Sequence, residues 1–332
     1  MSARHAGNSK QVTPKQRTNK TPNSLVKVKV VTDKGKWLSP NVGATFAIAA
    51  DTGFPAIRFE IDTAEPGPYQ WRWSMTWDAH ASGLKESKKR GKKIKSFSES
   101  GTFSSQEKSW VAAPEKVIGG RLKVEVQAGT ESFIRSVEIT GTNPSSKDVQ
   151  EFLKTLPDTA GFEKLLEQET HAKHFINADG LPIVAFDGGY GLTQLTKPAP
   201  TFEQTWSWKE NLKAGAKLYQ AKQIEARAYL SHGGRSFTDE QLRLETWSRW
   251  NGGAYHVWDQ EKKTWVRNDD MLCDTQTGNI GWDMTADANT GKTASALHER
   301  DRESYSNPKK NKTEDNQWKY SGECYADHVN AQ

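Results

Sequence analysis

Two short stretches hold residue types that can do acid–base chemistry together. Glu169-Thr170-His171-Ala172-Lys173 ends a helical pattern, and Gly188-Gly189-Tyr190-Gly191-Leu192-Thr193-Gln194-Leu195 begins nineteen residues after Glu169. Glu169 lies seven residues after Phe162, four after Leu165 and three after Leu166. At 3.6 residues per turn it is the one acidic residue on the apolar face, while Glu163 and Glu167 point elsewhere. A carboxyl that meets a hydrophobic face is desolvated, which disfavours its charged form. That is what a general acid needs to protonate the oxygen of an acetal such as a glycosidic bond near neutral pH. The glycines after it let backbone amides approach a ligand closely. Gln194 offers a donor and an acceptor suited to hydroxyl and N-acetyl groups. The competing reading is a glutamate at a helix end that leans to solvent or pairs with Lys173.

The elements that must position these groups fall into two halves. Residues 25–141 alternate with period two, as in Leu25–Val30, Ile57–Ile61, Tyr69–Trp73 and Leu122–Val126, with Gly and Pro in the gaps. That pattern predicts an N-terminal antiparallel β-sandwich of the Ig-like kind. Trp71, Trp73 and Trp77 share one strand face, as sandwich core or as a platform for stacking sugars. Gly141–Lys147 is a turn-rich linker in which Ser145 or Ser146 caps the first helix. From 146 to 332 the period is mainly helical. Val149, Phe152, Leu153 and Leu156 make one stripe, and Phe162, Leu165, Leu166 and Glu169 the next. A long helix over 208–230 carries Leu212, Ala216, Tyr219 and Ile224. Leu242, Leu244, Trp247 and Trp250 mark another, capped by Thr238 or Asp239. The expectation is an α+β protein of two domains, 25–141 for binding or delivery and 146–332 for catalysis, with every chemical signal in the second.

Bulk properties narrow the partners. The chain has 332 residues, a net charge of +5 and 13 tryptophans, with a mean hydropathy of −0.82. No run approaches the roughly 18 apolar residues of a membrane-spanning helix. Residues 1–24 are basic and polar, lack the apolar core of a signal peptide, and read as a disordered tail. Lys85–Lys95 is a basic run without interleaved aromatics, read as a solvated loop, so nucleic acid is not expected as a partner. No Cys/His cluster has metal spacing and no Gly-rich phosphate loop precedes a helix, so neither a metal nor a cofactor is expected. His171 and His174 read as helix-surface residues. Cys273 and Cys324 leave two states open, one disulfide or two free thiols.

The chemical stretches also resemble a family. Glu169-Thr170-His171-Ala172-Lys173 with Gly189-Tyr190-Gly191-Leu192-Thr193-Gln194, then Trp250-Asn251-Gly252-Gly253, then Cys324-Tyr325-Ala326-Asp327-His328-Val329, resemble in order the motifs of goose-type lysozymes and soluble lytic transglycosylases. The resemblance covers about 150–330 and implies a mainly α, lysozyme-like domain. It implies cleavage of the β-1,4 bond between N-acetylmuramic acid and N-acetylglucosamine in peptidoglycan, with Glu169 as catalytic acid. Tyr190, Gly191, Gln194, Trp250 and Asn251 match groove and subsite positions. Thr193 stands where the family has methionine, Trp250 where it has tyrosine, and Thr196 where goose-type lysozymes tend to carry aspartate. A hydrolase would then draw its water-placing carboxylate from Asp187 or Asp179, either of which reads equally as a turn cap. A transglycosylase needs Glu169 alone. With no leader read at the N-terminus, the resemblance suggests a wall-degrading antibacterial effector made in the cytoplasm and acting in the periplasm or wall, with an immunity protein or secretion component as partner. The alternative is an inactive wall-binding or structural part of a secretion or phage apparatus.

Overall fold

A computed structural model describes residues 33–82, 90–176, 179–305 and 317–332. The basic tail, the strand expected at 25–30 and Lys85–Lys89 lie outside the described residues. The described residues belong to one compact unit, an α+β architecture of eight strands followed by helices and small sheets. Among them, no helix is long and apolar enough to cross a membrane.

The first half is built on β1 (Trp37–Ser39), β2 (Thr45–Ile48), β3 (Ile57–Ile61), β4 (Tyr69–His80), β5 (Lys93–Ser105), β6 (Ser109–Ala112), β7 (Gly120–Ala128) and β8 (Glu131–Gly141). Strand β4 shows why the period-two reading works. Tyr69, Trp71, Met75, Trp77 and Ala79 are buried, and Gln70, Arg72, Thr76 and Asp78 face out. One sheet runs β2-β8-β7-β4-β5 and a second β1-β3-β6. They share a core in which Trp71 of the first sheet meets Trp110 of the second at 6.3 Å between ring centroids. Strands β7 and β8 join through a two-residue turn whose Gly129 has φ +52, as a tight hairpin requires. The sheets are not wholly antiparallel: β2 pairs parallel to β8. Alternation reports which face is buried and carries no information on strand direction.

The second half contains α1 (Ser146–Lys154), α2 (Phe162–Thr170), β9 (Phe175–Ile176), β10 (Leu181–Pro182), α3 (Phe202–Trp206), α4 (Trp208–Leu230) and α5 (Asp239–Trp250). Beyond them lie β11 (His256–Asp259), β12 (Thr264–Arg267), β13 (Met271–Cys273), β14 (Ile280–Asp283), α6 (Ala294–Asp301), β15 (Trp318–Tyr320) and a closing helix α7 (Gly322–Asn330). Ser145 caps α1 in a capping box with Asp148, and Thr238 caps α5 with Gln241. The stripe of α4 continues from Tyr219 to Ala226 and Leu230. Ile224, expected on it, is 70 % exposed, because five residues past Tyr219 is about 140° off the stripe at 100° per residue. The loop-rich segment after Trp250 holds two small sheets, β11-β12 and β13-β14-β15.

The change of secondary structure at 141–146 is sharp, but the core does not stop there. Trp77 packs edge-on to Trp206 at 5.3 Å, and Phe97 stacks on Phe202 at 5.4 Å. Ser82 and Val184 exchange two hydrogen bonds, and the Trp208 indole donates to the Ala50 carbonyl at 2.7 Å. Asn143 of the linker accepts from the amides of His174 and Phe175 and donates to the Phe175 carbonyl. A Cβ on Gly119 would sit 2.3 Å from the Trp206 ring, so the backbone there has room for an indole only without a side chain. Trp206→Ala should therefore cost about 3–5 kcal/mol, the range for truncating a large buried aromatic. Denaturant unfolding of the whole chain measures it, and a loss under about 1 kcal/mol would show that the seam between the halves is not a core.

Candidate functional site

Glu169 sits in the last turn of α2. Phe162, Leu165 and Leu166 anchor that helix and are fully buried, while Glu169 is half-buried at the end of the same face. The Tyr325 hydroxyl, from α7, donates to Glu169 Oε1 at 2.6 Å. Burial first, and then the charge and hydrogen bond of Glu169, push the Tyr325 phenol well above its ordinary range. It therefore stays a neutral donor. The backbone after Glu169 turns abruptly. His171 and Ala172 both lie in the left-handed region, with φ of 54 each. Their amides close the helix onto the Glu167 and Leu166 carbonyls. Left-handed backbone costs an L-residue roughly 1–2 kcal/mol, so surrounding contacts must hold this corner. Thr170 supplies one, donating to the Leu192 carbonyl at 2.9 Å and tying the helix end to the glycine-rich turn.

That turn is held from beneath by two buried side chains. His174 Nδ1 accepts from the Leu192 amide at 3.2 Å, and Nε2 faces the Thr205 carbonyl at 3.0 Å. A carbonyl only accepts, so the proton is on Nε2 and the ring is neutral. Burial lowers its pKa to about 3. Asn211, on α4, accepts from both the amide and the hydroxyl of Thr193 and donates to the carbonyls of Tyr190 and Gln204. Gly191 has φ +64, and a Cβ there would lie 2.3 Å from the His174 ring. No other residue fits over that imidazole. Gln194 has φ 49, and its amide group donates back to the Gly191 carbonyl at 2.8 Å.

The remaining expected residues divide. Gly191 and Gln194 shape the turn. Tyr190 is 2 % exposed and its ring meets Trp77 and Phe97, so it belongs to the seam between the halves and not to a groove wall. Asp187 is exposed and accepts from the Gly189 amide at 3.3 Å as a turn cap. Asp179 is exposed and its carboxylate lies 3.9 Å from the Arg90 guanidinium. Trp250 packs on Phe162 at 5.4 Å and Tyr219 at 6.5 Å. Asn251 ends α5, and its buried side-chain nitrogen has no hydrogen-bond partner among the described residues. His171 is exposed and pairs with Glu167, whereas His174 is a core residue, contrary to its expected place on a helix surface. Among the described residues, no group of three His, Cys, Asp or Glu is placed to hold a metal.

The placement of Tyr325 depends on how α7 is seated. A Cβ on Gly322 would lie 2.5 Å from the Ser248 carbonyl and 2.7 Å from the Gly253 backbone. The Gly253–Gly322 pair thus lets α7 approach the end of α5 at backbone contact. Cys324 is disulfide-bonded to Cys273. Asp327, one turn on, accepts from Tyr255 at 2.7 Å and from Arg267 at 2.8 Å. Local sequence pattern gives no warning of His174 or of this clamp. Asn211 carries a faint signal, a polar residue set among Trp208, Leu212 and Gly215 on the inner side of α4.

No family model matches the chain, and no curated protein or solved structure matches it either.

Two outcomes are expected from this geometry. The Tyr190 hydroxyl is buried without a partner among the described residues, so Tyr190→Phe should leave the fold intact and stability unchanged or raised by up to about 1 kcal/mol. A variant destabilised by more than about 1 kcal/mol in denaturant unfolding would show that the hydroxyl has a partner. The second concerns pH. The folded pKa of His174 is about 3 against an ordinary value of 6.5, so below pH 6.5 the unfolded chain binds a proton that the folded chain does not. The stability His174 contributes is present above pH 6.5 and lost as pH falls toward 3, at up to about 1.4 kcal/mol per pH unit. Thermal melts between pH 7 and 4.5 should show this slope, and His174→Gln should flatten it.

Proposed function

We propose that this chain is a glycosidase that cleaves the β-1,4 bond between N-acetylmuramic acid and N-acetylglucosamine in peptidoglycan, with Glu169 as general acid. We read the helical half as lysozyme-like and the two sheets as an Ig-like sandwich attached to it. What supports the reading is the meeting of Glu169 with Tyr325, 156 residues away, through one hydrogen bond. The segments that carry the family resemblance come together in space: Thr170 bonds to the glycine-rich turn and Tyr325 to Glu169. The Trp250–Gly253 segment lies against the start of α7. The Cys273–Cys324 bridge suits an oxidising compartment such as the one that holds the wall.

In this mechanism the neutral Tyr325 hydroxyl fills Oε1, so the acid proton sits on Oε2. Glu169 gives that proton to the leaving glycosidic oxygen as the bond to the anomeric carbon breaks. The carboxylate formed keeps the Tyr325 bond, and a hydrogen bond to a charged group contributes roughly 1.5–3 kcal/mol. Asp187 caps its own turn and Asp179 lies beside Arg90, which favours the route that needs no second carboxylate. There the sugar's own 6-hydroxyl attacks the anomeric carbon and Glu169 takes up its proton, leaving an anhydro product.

Glu169→Gln should lower wall clearing by about 10²–10⁴ or more, since an amide has no proton to donate. Turbidity of a wall suspension measures the loss, and the product mass, one water lower for the anhydro form, identifies the route. Wild-type clearing by the folded variant would sink the assignment. So would a wild-type chain that binds wall without clearing it. Hydrolytic products that vanish in Asp187→Asn or Asp179→Asn would replace the anhydro route with hydrolysis.

A further inference from the structure

We propose that the cleft between the two sheets of the N-terminal half is a second saccharide site, taking a neutral N-acetylhexosamine unit of a glycan chain. It rests on the glycosidase reading only in the choice of glycan. The cleft has a volume of about 400 Å³, inside the roughly 300–1,000 Å³ typical of small-ligand pockets. It opens beside β5, and Met75, Ala112 and Leu122 form its buried floor. Around the mouth stand Phe54, Trp73, Phe103 and Trp110, all half-buried, while their neighbours Trp71 and Phe59 are sealed.

These rings are held in place before any ligand arrives. Phe103 stacks on Trp71 with planes 3° apart, and Trp110 stacks on Phe59 at 25°. Trp73 lies across Gly101, its register partner, where a Cβ would meet the indole nitrogen at 2.6 Å. Glycine there lets the indole lie along the neighbouring strand. Fixed aromatic faces with an apolar body suit the axial C–H face of a pyranose, and pre-ordered rings lose little entropy on binding.

The polar groups select the ligand. Glu99 and Glu115 line the cleft, and carboxylates accept hydrogen bonds from hydroxyl and amide donors. Lys116 neutralises Glu99 at 3.0 Å, which leaves a negative balance among these three residues. Muramic acid carries a carboxylate and is disfavoured there, while N-acetylglucosamine is neutral and rich in donors. A chain that holds one N-acetylglucosamine unit of the wall glycan in this cleft and cuts elsewhere at Glu169 gains avidity for an insoluble polymer without a new contact at the cutting site.

The test uses the full chain with Glu169→Gln, titrated calorimetrically with the tetramer of N-acetylglucosamine. Two variants are made in that background. Trp73→Ala removes a ring. Ala113→Tyr, at an exposed position on the rim, blocks the mouth without disturbing the core. Each should weaken the tetramer's affinity for the cleft at least tenfold and reduce retention on wall sacculi. When the same two changes are made in the chain that retains Glu169, turnover of a soluble oligomer should stay within twofold. Unchanged tetramer binding in both folded variants overturns the proposal, as does a cleft that takes up a Lys/Arg-rich peptide and not the tetramer. Binding that responds to both variants in a chain that never clears wall supports this site while the catalytic reading fails.

Discussion

The Tyr325 hydroxyl lies 2.6 Å from Glu169, and both groups reach that point from helices far apart in the chain. A hydrogen bond weakens steeply with poor geometry, so the closing helix must be placed to within a fraction of an ångström. A small set of C-terminal contacts holds it there. Gly253 and Gly322 remove the side chains that would hold α7 off α5. Ser321 caps its first turn. The Cys273 bridge and the Asp327 contacts with Tyr255 and Arg267 then fix its rotation. In the chain-entropy account, a bridge across 51 residues is worth about 4 kcal/mol. Here it acts on the helix whose position decides where the hydrogen-bond donor to Glu169 lies.

The glycine-rich turn is governed by a different constraint, the satisfaction of buried polar groups. His174 and Asn211 are wholly buried, and each polar atom of their side chains has a backbone or hydroxyl partner. An unsatisfied group at such a site costs roughly 1–3 kcal/mol, so the network is stable in one arrangement and poor in any other. That is how a loop with left-handed residues at Gly191 and Gln194 can be rigid. The seam with the N-terminal sheets is less complete. The Tyr190 hydroxyl and the Trp206 indole nitrogen are buried without partners among the described residues. Apolar packing carries that interface, through the stacked and edge-on rings of Trp77, Phe97, Phe202 and Trp206.

The same seam changes what the two halves mean. The sheets bury Tyr190 and the residues around it, so they form the floor under the turn next to Glu169. A targeting role and a structural role are then compatible in one half. Trp73 and Phe103 line the cleft, while Trp77 and Phe97, farther along the same two strands, support the turn.

Local chemistry was enough to read the strands of β3, β4 and β7, the stripes of α1 and α2 and the singular position of Glu169, and it narrowed the caps of α1 and α5 to two residues each. Each of these depends on residues within a few positions of one another, and burial periodicity records them directly. The direction of β2, the exposure of Ile224 and the burial of His174 and Tyr190 were decided elsewhere. They depend on which distant surface each residue meets, and a histidine near a helix end looks the same in sequence whether water or Thr205 lies beyond it. Cys273 and Cys324 were open between bridge and thiol until β13 and α7 were brought side by side. Tyr325 was legible only as part of a resemblance. Its bond to Glu169 exists because glycines far apart in the chain let two helices touch, and no local pattern records a contact across 156 residues.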